Sequence, residues 1–183
     1  MDHAWTCGCC GRQFNTLPLD FACNAPDHWL QIPEPERQVR GKLDNDVCII
    51  DGRDIFVRGC LEIPIIGQED KFVWGVWVSV SKKSFGRILD LWSAEAIENE
   101  PPRFGWLSNN IAVYPPTLNL KTHLHLRGGG SRPSIELEPT DHSLAIEQRR
   151  GIPLDEWRKL PQHSHFDTDA VGDKRPWERE KRR

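Results

Sequence analysis

The residues of this chain that could do chemistry are six cysteines and a short run of alternating histidines and glutamates. Cys7-Gly8-Cys9-Cys10-Gly11 contains a Cys-x-x-Cys pair followed by glycine. That spacing lets two thiolates approach one ion while backbone N–H groups turn toward the sulfurs, as in zinc knuckles. A tetrahedral site needs two more ligands, and Cys48, Cys60 and Cys23 are the candidates. In a regular hairpin turning at Asp51-Gly52, Cys48 faces the side of Ile55 and Val57, whereas Cys60 faces the side of Phe56 and Arg58. A bulge at Gly59 would bring both thiols to one face. The competing reading makes Cys48 and Cys60 small core residues and leaves the N-terminal thiols reduced. A redox role for Cys7 and Cys10 has less behind it, because no buried strand precedes the pair and no amphipathic helix follows it.

The second constellation lies in the stretch from Thr117 to Glu138. Leu118, Leu120, Leu124 and Leu126 alternate with Asn119, Lys121, His123, His125 and Arg127, the period-2 pattern of a half-buried strand. A Gly128-Gly129-Gly130-Ser131 turn returns the chain through Ile135 and Leu137, which alternate with Glu136 and Glu138. Matching the polar faces places His125 opposite Glu136 and His123 opposite Glu138, with Cβ atoms about 5 Å apart. Such a face could bind a catalytic metal or perform acid–base chemistry, with His125, Glu136, Glu138 and Asp141 as the residues to carry it. It is equally what any solvated hairpin face presents. Asp141, at the expected start of the next helix, is first explained by capping. An enzyme needs these side chains to line a pocket; a binding module would show them on a flat or convex face.

The elements that must position these groups are mostly strands. Val47 to Ile50, Ile55 to Ile63 and Phe72 to Val80 read as three strands, the first two joined at Asp51-Gly52 and the third apolar on both faces. Ser81 caps a helix whose Phe85, Ile88, Leu89 and Trp92 follow helical spacing. Phe104 to Leu107 reads as a short strand or turn, Pro139-Thr140 opens a helix that Gly151 stops, and Pro153 opens a last short one. Residues 5–45 read as irregular. The expected fold class is α+β: a mostly antiparallel sheet with a few packed helices and a Cys-rich N-terminal segment.

The stretches Arg58-Gly59-Cys60-Leu61-Glu62-Ile63-Pro64-Ile65, Trp74-Gly75-Val76-Trp77-Val78-Ser79, Phe104-Gly105-Trp106-Leu107, Tyr114 to Thr122 and Ile135 to His142 together resemble one bacterial family. It is known only as domain of unknown function 2199, and the likeness spans residues 5–160. The resemblance implies a fold unit and brings no activity with it. Its pattern has a Cys-x-x-Cys-Gly matched by Cys7, Cys10 and Gly11, and two later cysteines matched by Cys48 and Cys60. Cys9 and Cys23 stand outside that pattern, and either could replace a ligand. The resulting expectation is a structural Zn²⁺ held by Cys7, Cys10, Cys48 and Cys60, pinning the N-terminal segment to the sheet.

Composition sets the outer limits. Gly and Pro at 14 each make the chain turn-rich, and a net charge of −3 gives no global case for nucleic-acid binding. The longest apolar stretch, Phe72 to Val80, is far short of a membrane span. Nothing at the N-terminus reads as a signal peptide, so a cytoplasmic, reducing compartment is expected, with thiols rather than disulfides. One domain is expected over residues 1–165, followed by a charged tail over 166–183. Of the eight Trp, most fall where packing accounts for them. The functional expectation is a binding or interaction module whose partner is unknown, a protein being one candidate; the alternative is a metal-dependent or acid–base hydrolase built on the His/Glu face.

Overall fold

The computed structural model describes residues 19–95, 97 and 99–157, and the backbone of two short strands, β1 (Trp5–Thr6) and β2 (Gln13–Phe14). Then follow β3 (Asp20–Ala22), α1 (Asp27–Leu30), α2 (Glu34–Arg40), β4 (Gly41–Leu43) and β5 (Val47–Ile50). The centre is β6 (Asp54–Ile66), β7 (Lys71–Val80), α3 (Lys82–Leu91) and β8 (Arg103–Leu107). The chain continues through β9 (Lys121–His125), β10 (Ser134–Leu137), α4 (Ser143–Arg150), β11 (Ile152–Pro153) and α5 (Leu154–Trp157).

The α+β expectation is met, but the sheet is closed rather than open. β6, β7, β8, β9 and β10 pair in succession antiparallel, and β10 returns to lie parallel to β6 at Ser134↔Cys60, which makes a five-stranded barrel. One face of each strand fills the barrel. Val57, Leu61 and Ile63 of β6 point inward with Phe72, Trp74, Val76 and Val78 of β7, and Leu107, Leu124, Ile135 and Leu137 complete the same core. Burying each such side chain contributes about 1.5–3 kcal/mol. Two inward positions are glycine for lack of room. A Cβ on Gly59 would stand 2.5 Å from Ile135 Cδ1, and one on Gly105 would stand 2.4 Å from Val78 Cγ1. Gly59 therefore keeps β6 and β10 close; it sits in the regular ladder opposite Val76 and makes no bulge.

A second, smaller core lies outside the barrel. Trp29 of α1, with Ala25 and Ile32, packs on Cys48, Ile50, Phe56 and Trp77, on the outer face of β5, β6 and β7. Asn109 locks this layer down: its Oδ1 accepts from Trp77 N at 2.7 Å and its Nδ2 donates to Ala25 O at 2.8 Å. Asp27 completes the latch, accepting from Asn110 N at 2.9 Å. Residues 20–45, expected to be irregular, thus hold two strands, two helices and the cover of this second core.

Three boundaries also move. The loop between β5 and β6 has three residues, Asp51, Gly52 and Arg53, and Asp51 and Gly52 have φ of 51° and 66°. The extra residue shifts the register by one, so Cys48 stands opposite Phe56. The strand expected over 117–127 is confined to Lys121–His125, because the chain before it turns through Asn119 at φ 66°. The helix expected from Pro139 starts at Ser143, where His142 Nδ1 caps it by accepting from Leu144 N at 3.2 Å. The residues of the expected charged tail, 166–183, lie outside the described residues.

Candidate binding face on the barrel exterior

The outer face of β7, β8 and β9 is only partly covered. Phe104 and Trp106 flank Gly105, and alternation sends both outward while Gly105 faces the crowded core. The two rings meet edge to face at 5.2 Å between centroids, and they remain 42% and 40% exposed. Beside them an open groove of ≈ 720 Å³ runs to the edge of the helical cover; His28, Phe56, Ser79, Ser81, Phe104 and Trp106 are among its lining. His28, on α1, stacks against Phe56 at 5.3 Å. Ser81, at the far end, is occupied in capping α3, accepting from Ser84 N at 3.1 Å. Reading the tryptophans as packing residues holds for Trp29, Trp74, Trp77 and Trp157, which are buried, and overlooks Trp106. The aromatic–Gly–aromatic alternation of residues 104–106 was the available signal.

The His/Glu face adjoins this surface. The ladder places His123 opposite Glu136 and His125 opposite Ser134, two positions away from the expected register. The side chains nevertheless lean diagonally into the expected partnerships. His125 Nε2 lies 2.8 Å from Glu136 Oε2, and His123 Nε2 lies 3.5 Å from Glu138 Oε1. Lys121 Nζ also approaches Glu138, at 3.8 Å. Diagonal neighbours on a twisted pair are within reach of long side chains. The face is solvent-exposed, with the Glu136 side chain 63% exposed, and His123 stands edge-on to Phe104 at 6.2 Å between ring centroids. None of the four residues His125, Glu136, Glu138 and Asp141 lines the groove. Asp141 is exposed at the start of α4, where His142 provides the cap instead.

Of the four cysteines expected to hold zinc, Cys7 and Cys10 lie outside the described residues, though the strands on either side of them, β1 and β2, pair antiparallel. Cys48 and Cys60 do share the outer face, through the three-residue loop and not through a bulge. They stand four positions apart along the ladder, however, about 13 Å at the rise of a strand. Two Zn–S bonds of about 2.3 Å do not bridge that distance. Cys48 is fully buried among apolar side chains, and burial pushes its thiol up to about 12. Cys23 packs against the same cluster, and burial likewise pushes it up to about 12. Cys60 is half-buried and also raised by burial. Among the described residues no group of three His, Cys, Asp or Glu side chains is arranged to hold a metal ion.

Two further polar groups escaped the sequence. Tyr114 Oη donates to Glu147 Oε2 at 2.6 Å at the edge of the barrel core. Burial raises the Glu147 carboxyl above the usual range, against the lowering effect of the tyrosine hydrogen bond. Arg58, on the outer face between Phe56 and Cys60, lies over the Trp77 ring at 5.8 Å, and burial followed by the charge of Arg132 lowers its affinity for its proton. Neither carried a motif; both pairings come from elements distant in sequence.

The fold and this face define a small α+β barrel domain with a half-covered exterior. The chain belongs to a family of uncharacterised proteins conserved in bacteria (DUF2199), whose model matches residues 6–152. No curated protein and no solved structure matches it.

Proposed function

We propose that this domain is a binding module that recognises an extended segment of a protein partner in the groove beside Phe104 and Trp106. The observation that carries the reading is the aromatic pair itself. Two large rings stay out of a well-packed barrel, side by side, at the lip of the chain's groove. Exposed aromatics beside a depression are the residues that dominate interface energetics. The polar alternation of Lys121, His123, Glu136 and Glu138 along one border suits the polar rim of an interface, since these side chains already find partners on the same face. The groove is lined by none of His125, Glu136, Glu138 and Asp141, so these side chains fit the border of an interface better than a pocket.

Photo-crosslinking tests the proposal. A photoreactive residue placed at position 106 in the full chain is expected to give a discrete protein adduct in bacterial cells. Added unmodified protein should compete it away, and Phe104→Ala should abolish it. The same probe at position 149, on the exposed side of α4, should give none. Equal labelling from both positions, or an adduct indifferent to Phe104→Ala, would contradict the reading.

Zinc on the Cys7–Cys10 pair is a separate proposal. Cys60 is the later cysteine that a segment on the barrel exterior could reach, whereas Cys48 is enclosed. Metal analysis of protein purified without added zinc is expected to give one ion per chain, lost in Cys7→Ser and Cys10→Ser and kept in Cys48→Ala. Metal-free wild-type protein would exclude it.

A further inference from the structure

Along one edge β6 changes partner: Arg58 N donates to Asp46 O beside β5, and Cys60 N donates to Pro133 O at the start of β10. The two side chains that meet at this seam are both arginine, because the Ser134↔Cys60 register sets Arg132 beside Arg58. Arg132 is satisfied: its Nε donates to Asp46 Oδ1 at 2.5 Å. Arg58 is not. Its Nε is buried without a hydrogen-bond partner, its Nη1 makes only a 3.5 Å contact to Asn45 O, and no carboxylate among the described residues pairs with it. A half-buried guanidinium whose Nε is buried and unpaired, beside a second guanidinium, is stabilised by a counter-charge. The nearby acids are engaged, Asp46 by Arg132 and Glu62 by Arg127 and Lys71.

We infer that the Arg58–Arg132 seam is an oxyanion-binding site, taking a phosphate or carboxylate group in the fork of Arg58 with Arg132 as the second cation. The planar guanidinium suits such groups because it donates two parallel hydrogen bonds. The Trp77 ring lies 5.8 Å from the Arg58 Cζ, within the range of a cation–π contact. Neither arginine lines the groove of the proposed binding face, so the site is independent of that reading.

The test is a titration of the isotope-labelled full chain with sodium phosphate and, separately, sodium succinate at constant ionic strength. The readout is the Arg58 side-chain Nε–Hε resonance, assigned by its loss in Arg58→Lys. At least one of the two anions is expected to move it saturably; a response to phosphate identifies a phosphoryl group, and a response to succinate alone identifies a carboxylate. Arg132→Gln should weaken the response about tenfold, whereas Asp46→Asn, which frees Arg132, should strengthen it. Backbone spectra matching wild type show that each variant is folded. No saturable movement with either anion, or an affinity unchanged in Arg132→Gln, overturns the assignment.

Discussion

At the scale of single residues, the molecule is held by side chains with no slack. Gly59 faces the point where β10 crosses closest to β6, so Gly59→Ala must displace Ile135 or the Pro133 carbonyl. Overpacking of that kind costs about 1–3 kcal/mol, and urea unfolding is expected to show a loss in this range with an unchanged m-value. Glu147 makes a pH prediction. Its folded pKa is raised, so the folded state holds that proton more tightly than the unfolded one. The stabilisation is fully present below the ordinary glutamate value and is lost as pH rises through the raised value. Glu147→Gln keeps a partner for Tyr114 Oη and removes the ionisation. Its stability relative to wild type is expected to increase as the pH is taken from about 4 to about 7. A difference that stays constant over that interval would show that Glu147 does not titrate abnormally.

At the scale of elements, the helical cover and the strands depend on each other through Asn109. Its side chain takes the place of a strand neighbour for Trp77 N and at the same time holds Ala25, ahead of α1. Asn109→Leu leaves Trp77 N and Ala25 O buried without partners, at about 1–3 kcal/mol each. Hydrogen exchange at Trp77 and in α1 is expected to accelerate together, while exchange within β9 and β10 stays slow. The element scale is also where the sequence was most legible. Apolar, β-branched runs bounded by turn residues located β5, β6 and β7; Ser81 marked the start of α3; Gly151, at φ 82°, marked the end of α4. Register was less legible, because it rests on one residue of loop length: counting Arg53 into the β5–β6 loop reverses the face of Cys48. The barrel closure was not legible at all. It rests on the parallel contact of Ser134 with Cys60, and alternation along a strand carries no information about which distant strand lies beside it. The candidate site divides in the same way. The His/Glu partnerships could be read from local spacing, whereas the groove arises where α1 and β8, far apart in the chain, come to lie on one surface.

At the scale of the whole molecule, one family unit builds a barrel, covers part of its exterior with its own helices and, among the described residues, leaves Phe104 and Trp106 exposed. No helix among the described residues is long and apolar enough to cross a membrane. Among the described residues the large exposed aromatic rings are Phe104 and Trp106, both on β8, whereas the core is built from other side chains. Phe104→Ala and Trp106→Ala remove half-exposed rings and are expected to change the melting temperature little. In an interface, each such ring is worth about 2 kcal/mol or more, roughly thirtyfold in affinity. The decisive measurement is the dissociation constant of the partner identified by crosslinking at position 106, determined for wild type and for the Phe104→Ala/Trp106→Ala double variant under identical salt and pH. At least about a hundredfold weaker binding is expected from a variant that melts within a few degrees of wild type. Equal affinities for the two proteins would contradict the proposed binding face.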